Sequence, residues 1–235
     1  IGKGDLVLVS LAARTASELF KNRVFVVGSR RTSNVPVRTD GAIWVYIADG
    51  ESVSIQPPFT LKAPFTPDEF DPDMENNRSE WVRAVVIQPG SENALAVGER
   101  EFKPDGSKEV FRRTFIVAAH PLGGIVGIPW TSNADASLAN DGARSVAVCG
   151  EGFVTGGWTR DVPADAKPQP MIFWLKANGA YLQHRPEPQL ASTQTHGIAC
   201  DREGKIVSAG TRSAGPTDAQ IFTVSGPFGP RTSYE

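Results

Sequence analysis

Residues 195–212 read THGIACDREGKIVSAGTR, and residues 143–160 read ARSVAVCGEGFVTGGWTR. Each is an alternating apolar run, a tight glycine turn, a second short apolar run, then Gly and Arg. Period-two alternation sends successive side chains to opposite faces, as a strand does and a helix does not. After a polar stretch each copy continues into another apolar run, PMIFWLKANG from Pro170 and AQIFTVSGPFG from Ala219. One strand–turn–strand pattern met twice makes a repeat architecture the first thing to test.

Working outward, the same grammar appears in WVRAVVIQPGSENALAVGER (81–100), followed by EVFRRTFIVAAHPLGG (109–124). A looser copy is LVLVSLAARTASELFKNRVFVVGSR (6–30), followed by GAIWVYIADGES (41–52). The equivalent glycines are Gly28, Gly98, Gly157 and Gly210, unequally spaced, as loop insertions between repeated strands would make them. Runs such as RVFVVG and FIVAA are rich in β-branched and aromatic residues, which suit a pleated, packed surface. Leu11 to Lys21 has acceptable helix formers, yet it lies between two strand-like runs. The reading is an all-β chain, a single β-propeller of about four diverged four-stranded blades. The approximate repeats are 1–62, 80–132, 142–190 and 194–235. A sandwich also holds many short strands, but it gives no reason for one pattern to recur.

The run IACDREGKIVSAGT resembles the strand–turn–strand core of SBBP-type β-propeller repeats, found in bacterial secreted and surface proteins. FWLKANGAYL is similar to the second half of that repeat, with Leu175, Lys176, Asn178 and Gly179 in the corresponding places. The resemblance covers residues 143–225 and fades before residue 81, and Cys149–Gly150 interrupts its Asp-containing turn. It implies a propeller and an extracellular or cell-envelope location, and it carries no catalytic residues. Four units stand at the low end for a closed ring, and the chain begins at Ile1 without Met or a leader. Both point to a processed form or part of a larger ring, with a missing segment or a partner chain supplying further blades.

Composition sets outer bounds. Hydrophobic residues at 40% and charged residues at 21% fit a soluble globular chain, and 23 Gly and 18 Pro spread between apolar runs mean many turns. A net charge of -2 provides no global basic field for nucleic acid. No apolar stretch is long enough for a membrane span.

An arginine follows each repeat glycine, as Arg30, Arg100, Arg160 and Arg212. Four guanidiniums leaving equivalent points could gather on one face, where bidentate bonds favour a carboxylate, a phosphate or an acidic protein surface. The blander reading pairs each with a local acid such as Glu99, Glu101 or Asp161. Trp158, beside the arginine position, is the candidate exposed aromatic hot spot. Asp71, Asp73 and Glu75 alternate like the start of a calcium loop, although Asn76 stands at the turn glycine. A solvated acidic loop is the alternative, with no cofactor at all. Among His120, His184 and His196 no pair has metalloprotease spacing. A His196–Cys200 nucleophilic pair lacks a third group to orient it. Buried thiols are the expected state of Cys149 and Cys200, since a bridge between neighbouring blades demands a favourable approach.

The resulting expectation is a non-catalytic binding or scaffold module. Its connections at 31–41, 57–80, 101–109 and 159–170 would engage a protein or an acidic ligand. The alternative is a glycan-active hydrolase or lyase on a propeller scaffold, which needs two facing carboxylates. Asp40, Asp49, Asp105, Asp161 and Asp218 are available for that role, but nothing in the sequence pairs them.

Overall fold

The computed structural model describes residues 6–13, 22–34, 37–49, 52–55, 59–60, 79–102, 110–131, 140–160, 169–175, 181–186, 193–212 and 218–224. All regular elements among them are strands, and no helix is long and apolar enough to cross a membrane.

The strands form four antiparallel sheets in sequence order. The first holds β1 (Leu6–Ala13), β2 (Arg23–Asn34), β3 (Val37–Asp49) and β4 (Ser52–Ile55), with β5 (Phe59–Thr60) sharing the outer edge of β3. The second holds β6 (Glu80–Ile87), β7 (Ala94–Phe102), β8 (Phe111–Ala119) and β9 (Ile125–Thr131). The third holds β10 (Asn140–Cys149), β11 (Gly152–Arg160), β12 (Gln169–Leu175) and β13 (Tyr181–Pro186). The fourth holds β14 (Thr193–Cys200), β15 (Ile206–Arg212) and β16 (Asp218–Val224). Two sheets thus have the expected four strands, while the first gains β5 and the last has three among the described residues. Residues 31–41, expected as a connection, are mostly strand: β2 and β3 stay paired out to Asn34 and Val37.

The first strands β1, β6, β10 and β14 lie side by side, and each of the last three packs across the sheet before it. Antiparallel order then places the tight first hairpins at one end of the molecule. The second-to-third connections and the links between sheets fall at the other. Gly90, Gly150 and Gly204 occupy the tight hairpins with φ of 66°, 60° and 80°, where only glycine is unstrained.

Every first strand slips register at the same place, between Leu8 and Ser10, Val82 and Ala84, Ala143 and Ser145, and Thr195 and Gly197. The repeat glycines sit opposite these bulges, paired with Leu8, Val82, Ala143 and Thr195. A bulge bends its strand toward its partner. A Cβ on Gly98, Gly157 or Gly210 would meet the carbonyl oxygen of Trp81, Gly142 or Gln194 at 2.0, 1.9 and 1.9 Å. The recurrent glycine is therefore a close-approach glycine.

Alternation divides each interior strand between two cores. On β7, Ala94 and Ala96 join Phe25, Ile43, Val82 and Phe115 between the first and second sheets. Leu95 and Val97 face the other way, to Ile116, Ala143, Phe153 and Leu175 between the second and third. Val154, Ile172 and Ile206 continue the pattern between the third and fourth. Strands buried on both faces read as nearly continuous apolar runs, which is how β7 and β8 look.

The cysteines correct the expectation of separate thiols. Cys149 and Cys200 form a disulfide across the third and fourth sheets, their Cα atoms 5.3 Å apart. Both lie at the last residue of a first strand, and first strands are neighbours, so their ends approach within bridging reach. The imagined His196–Cys200 pair consequently has no thiol.

Candidate functional site

The extra residue of each bulge is Val9, Arg83, Arg144 or His196, one per sheet at the same register position. Because first strands are neighbours, Arg83, Arg144 and His196 follow one another across the molecule.

The residue after each repeat glycine shares a register position too: Ser29, Glu99, Trp158 and Thr211. Glu99 is fully buried. Arg83 Nε donates to its Oε1 at 2.9 Å, and Arg83 Nη2 to the same oxygen. Trp158 Nε1 donates to Oε2 at 3.3 Å, and Arg112 Nη1 stands 3.5 Å from that oxygen. A buried carboxylate is tolerable only when charge-paired and hydrogen-bonded, and here both oxygens are engaged. Gly142 makes room, since a Cβ there would lie 2.6 Å from Glu99 Oε2 and 2.7 Å from Trp158 Nε1. Trp81 steadies the cations, its ring centroid 4.4 Å from the Arg112 guanidinium carbon and 5.8 Å from that of Arg83.

Side chains at the start of the second and third sheets lock each to the sheet before it. Asn140 Oδ1 accepts the Arg112 amide at 2.8 Å, and Asp141 Oδ1 accepts the buried Thr114 amide at 2.7 Å. One sheet earlier, Ser79 Oγ accepts the Thr39 amide at 3.4 Å from the register position of Asn140. These bonds satisfy edge amides of the preceding sheet.

Beside this core, at the end opposite the disulfide, lies a cavity of about 230 Å³ lined by Val110, Arg112, Asn140, Arg144, Trp158, Arg160 and Gln194. Among the described residues the wall thus carries three arginines, two amides, an indole and a valine, without a carboxylate. Arg144 Nε is buried and has no hydrogen-bond partner among the described residues. Burial lowers the Arg144 pKa below the ordinary guanidinium value; the Glu99 charge opposes this, while Arg83 and Arg112 add to it. Partial burial, and then the charge of Arg144, holds His196 below the usual histidine value. His196 Nε2 and Thr211 Oγ1 are 2.9 Å apart.

The residues expected from the sequence are distributed as follows. Arg160 lines the cavity. Arg100 is buried, its Nε 4.0 Å from Glu80 Oε1. The two differ because Arg160 pairs with Asn140 whereas Arg100 pairs with Glu80, the counterpart of Asp141, one step along a strand and hence on the other face. Arg30 and Arg212 lie on β2 and β15, and their side chains fall outside the described residues. Trp158, expected as an exposed aromatic, is only 6% exposed, because its indole reaches inward to Glu99. The calcium candidates Asp71, Asp73 and Glu75 lie outside the described residues. So do Asp105 and Asp161 and the side chains of Asp49, His184 and Asp218, whereas Asp40 is half-buried. His120 Nδ1 accepts the Leu122 amide at 3.1 Å within a turn. The sequence reading missed Arg83, Arg112 and Arg144, and took Glu99 only as a local partner for an arginine. The available signal for Arg83 and Arg144 was their shared position opposite the repeat glycine once strands are paired.

The chain matches no family model and no curated protein. Among solved structures it is similar to a variant of levansucrase from Bacillus subtilis, with a TM-score of 0.52 and 9% identity, over 92% of this chain and 67% of that one. At that identity the likeness concerns the fold alone. That protein is a five-bladed propeller, and the present chain has a propeller-type all-β fold.

Proposed function

We propose that this chain is a binding module that uses the arginine-lined cavity at one end of its sheets to hold an anionic group presented by a partner protein. The cavity wall carries the reading: Arg112, Arg144 and Arg160 with Asn140 and Gln194 offer hydrogen-bond donors, and no acid among the described residues lines it. Guanidinium forks match carboxylate and phosphate geometry, and a rigid strand frame keeps them in place. The connections at the same end of the sheets extend the contact surface. The disulfide suits an oxidising compartment, in keeping with the SBBP-like repeat and with an extracellular or cell-envelope location. Further blades come from the rest of a longer ring or from a second chain. The test is binding of immobilised wild-type protein to acidic peptides across a salt series. Arg112→Gln/Arg144→Gln/Arg160→Gln should abolish a salt-sensitive signal. A signal unchanged in the triple variant would refute the reading.

The likeness to levansucrase favours a second reading, a glycan-active hydrolase or lyase. It asks for two carboxylates with separated roles. Glu99, the described acid beside the cavity, is instead held by Arg83, Arg112 and Trp158. Sustained release of reducing ends from a panel of glycans would replace the binding reading with this one.

A further inference from the structure

We propose that the cavity is selective for a doubly charged oxyanion of the phosphate type over a single carboxylate, and that Glu99 is a built-in rival anion that limits how tightly it binds. The proposal rests on the anion-binding reading above and adds the charge of the ligand and the means by which its affinity is set.

The first argument is charge balance. Arg83, Arg112 and Arg144 interact with one another and with Glu99. Among the described residues, three guanidiniums therefore face one carboxylate, without counting Arg160, which has a partner of its own. A monoanion in the cavity leaves the cluster positive, whereas a dianion neutralises it. In a partly buried site that difference is amplified by the lowered effective dielectric.

The second argument is donor geometry. Asn140 spends Oδ1 on the Arg112 amide, so its NH2 group is the part left to donate. Arg144 brings a buried Nε without a partner among the described residues. Gln194 lines the wall at the register position of Trp81 and Gly142. Donors from three sheets converge, an arrangement that suits a tetrahedral oxyanion with several acceptor oxygens better than a planar carboxylate with two. At about 230 Å³ the cavity is below the roughly 300–1,000 Å³ of drug-sized pockets, so a head group enters and the rest of its carrier stays outside.

The rivalry follows from Arg112. It lines the cavity, yet its Nη1 is turned to Glu99 Oε2 at the long separation of 3.5 Å. An incoming anion competes with Glu99 for this guanidinium. Removing the Glu99 charge frees Arg112 and adds one net positive charge.

Isothermal titration of the intact chain near pH 8 and low salt tests both parts, with inorganic phosphate, O-phosphoserine and acetate as probes. Wild-type protein should bind phosphate at least tenfold more tightly than acetate. O-phosphoserine binding more tightly than phosphate identifies an esterified head group, and the reverse order identifies the free ion. Arg144→Gln should weaken phosphate binding at least tenfold, and Arg144→Lys, which keeps the charge and loses the fork, should restore only part. Glu99→Gln should strengthen binding of both anions several-fold, although it loosens the fold.

Equal wild-type affinity for acetate and phosphate would overturn the charge selectivity. Unchanged affinity in Glu99→Gln would overturn the rivalry. Should that variant not fold, Arg112→Gln replaces it. Weakening of phosphate without loss of the Arg144 dependence then supports the competition, and no change overturns it. A wild-type protein that binds none of the three probes refutes the anion-binding reading itself, a result distinct from either failure.

Discussion

Reducing the Cys149–Cys200 bridge should cost stability without touching the cavity. The bridge closes a loop with a sequence separation of 51 residues. Chain-entropy arguments give about 4 kcal/mol for a loop of this length at 25 °C. For a chain of this size that corresponds to a melting temperature lower by roughly 8–16 °C. The perturbation is Cys149→Ala/Cys200→Ala, compared with wild type with and without dithiothreitol. Urea unfolding followed by tryptophan fluorescence gives the free energy, and thiol labelling of unfolded protein verifies the redox state. The cysteines lie at the hairpin end of β10 and β14, while the cavity opens where those strands begin. Phosphate affinity should therefore stay within about twofold when the bridge is removed, as expected for independent sites. Two free thiols in air-purified protein, or the same urea midpoint after reduction, would refute the reasoning.

Other outcomes follow from the register and the buried bonds. Gly157→Ala and Gly98→Ala should each cost more than about 3 kcal/mol, because the new Cβ meets a backbone oxygen at the bulge. Gly150→Ala, with open space around it and φ of 60°, should cost only about 1 kcal/mol; urea midpoints of the three variants decide it. Asp141→Ala leaves the buried Thr114 amide without its acceptor and should cost about 1–3 kcal/mol, whereas Asp141→Asn, which can keep an oxygen there, should cost less. His196 has a folded pKa below its unfolded value, so the unfolded chain binds the proton more readily. Its contribution is complete above the unfolded pKa of about 6.5 and is lost as pH falls through that value toward the folded one. Melting temperatures measured between about pH 8 and pH 5 should thus fall less for His196→Asn than for wild type.

The all-β repeat was legible because its signals are local. Period-two alternation, a glycine in three of the four first hairpins and the second glycine after it all lie within one strand pair. The bulges were not legible, since one extra residue in a strand leaves no mark until the partner strand is aligned. That single hidden step moved the search from Arg83, Arg144 and His196, at the bulges, to the arginines following the glycine. The opposite faces of Arg160 and Arg100 needed no bulge, since one stands three residues after its glycine and the other two. Glu99 looked like an ordinary partner for a surface arginine, and only the packing of the third sheet shows it buried beneath Trp158 and Gly142. The disulfide depended on the approach of two strand ends in different sheets, a distance that sequence separation does not encode.

The bulge opposite each repeat glycine also makes the molecule easy to rewrite. The backbone there accepts a valine, two different arginines or a histidine at Val9, Arg83, Arg144 and His196 with the same slip in register. The glycines are the fixed frame, and the bulged residues are letters set into it, one for each sheet. Exchanging the described letters Arg83, Arg144 and His196 would respell the chemistry around Glu99 and the cavity while leaving every strand pairing intact, so this scaffold lends itself to receptors built by substitution at these addresses.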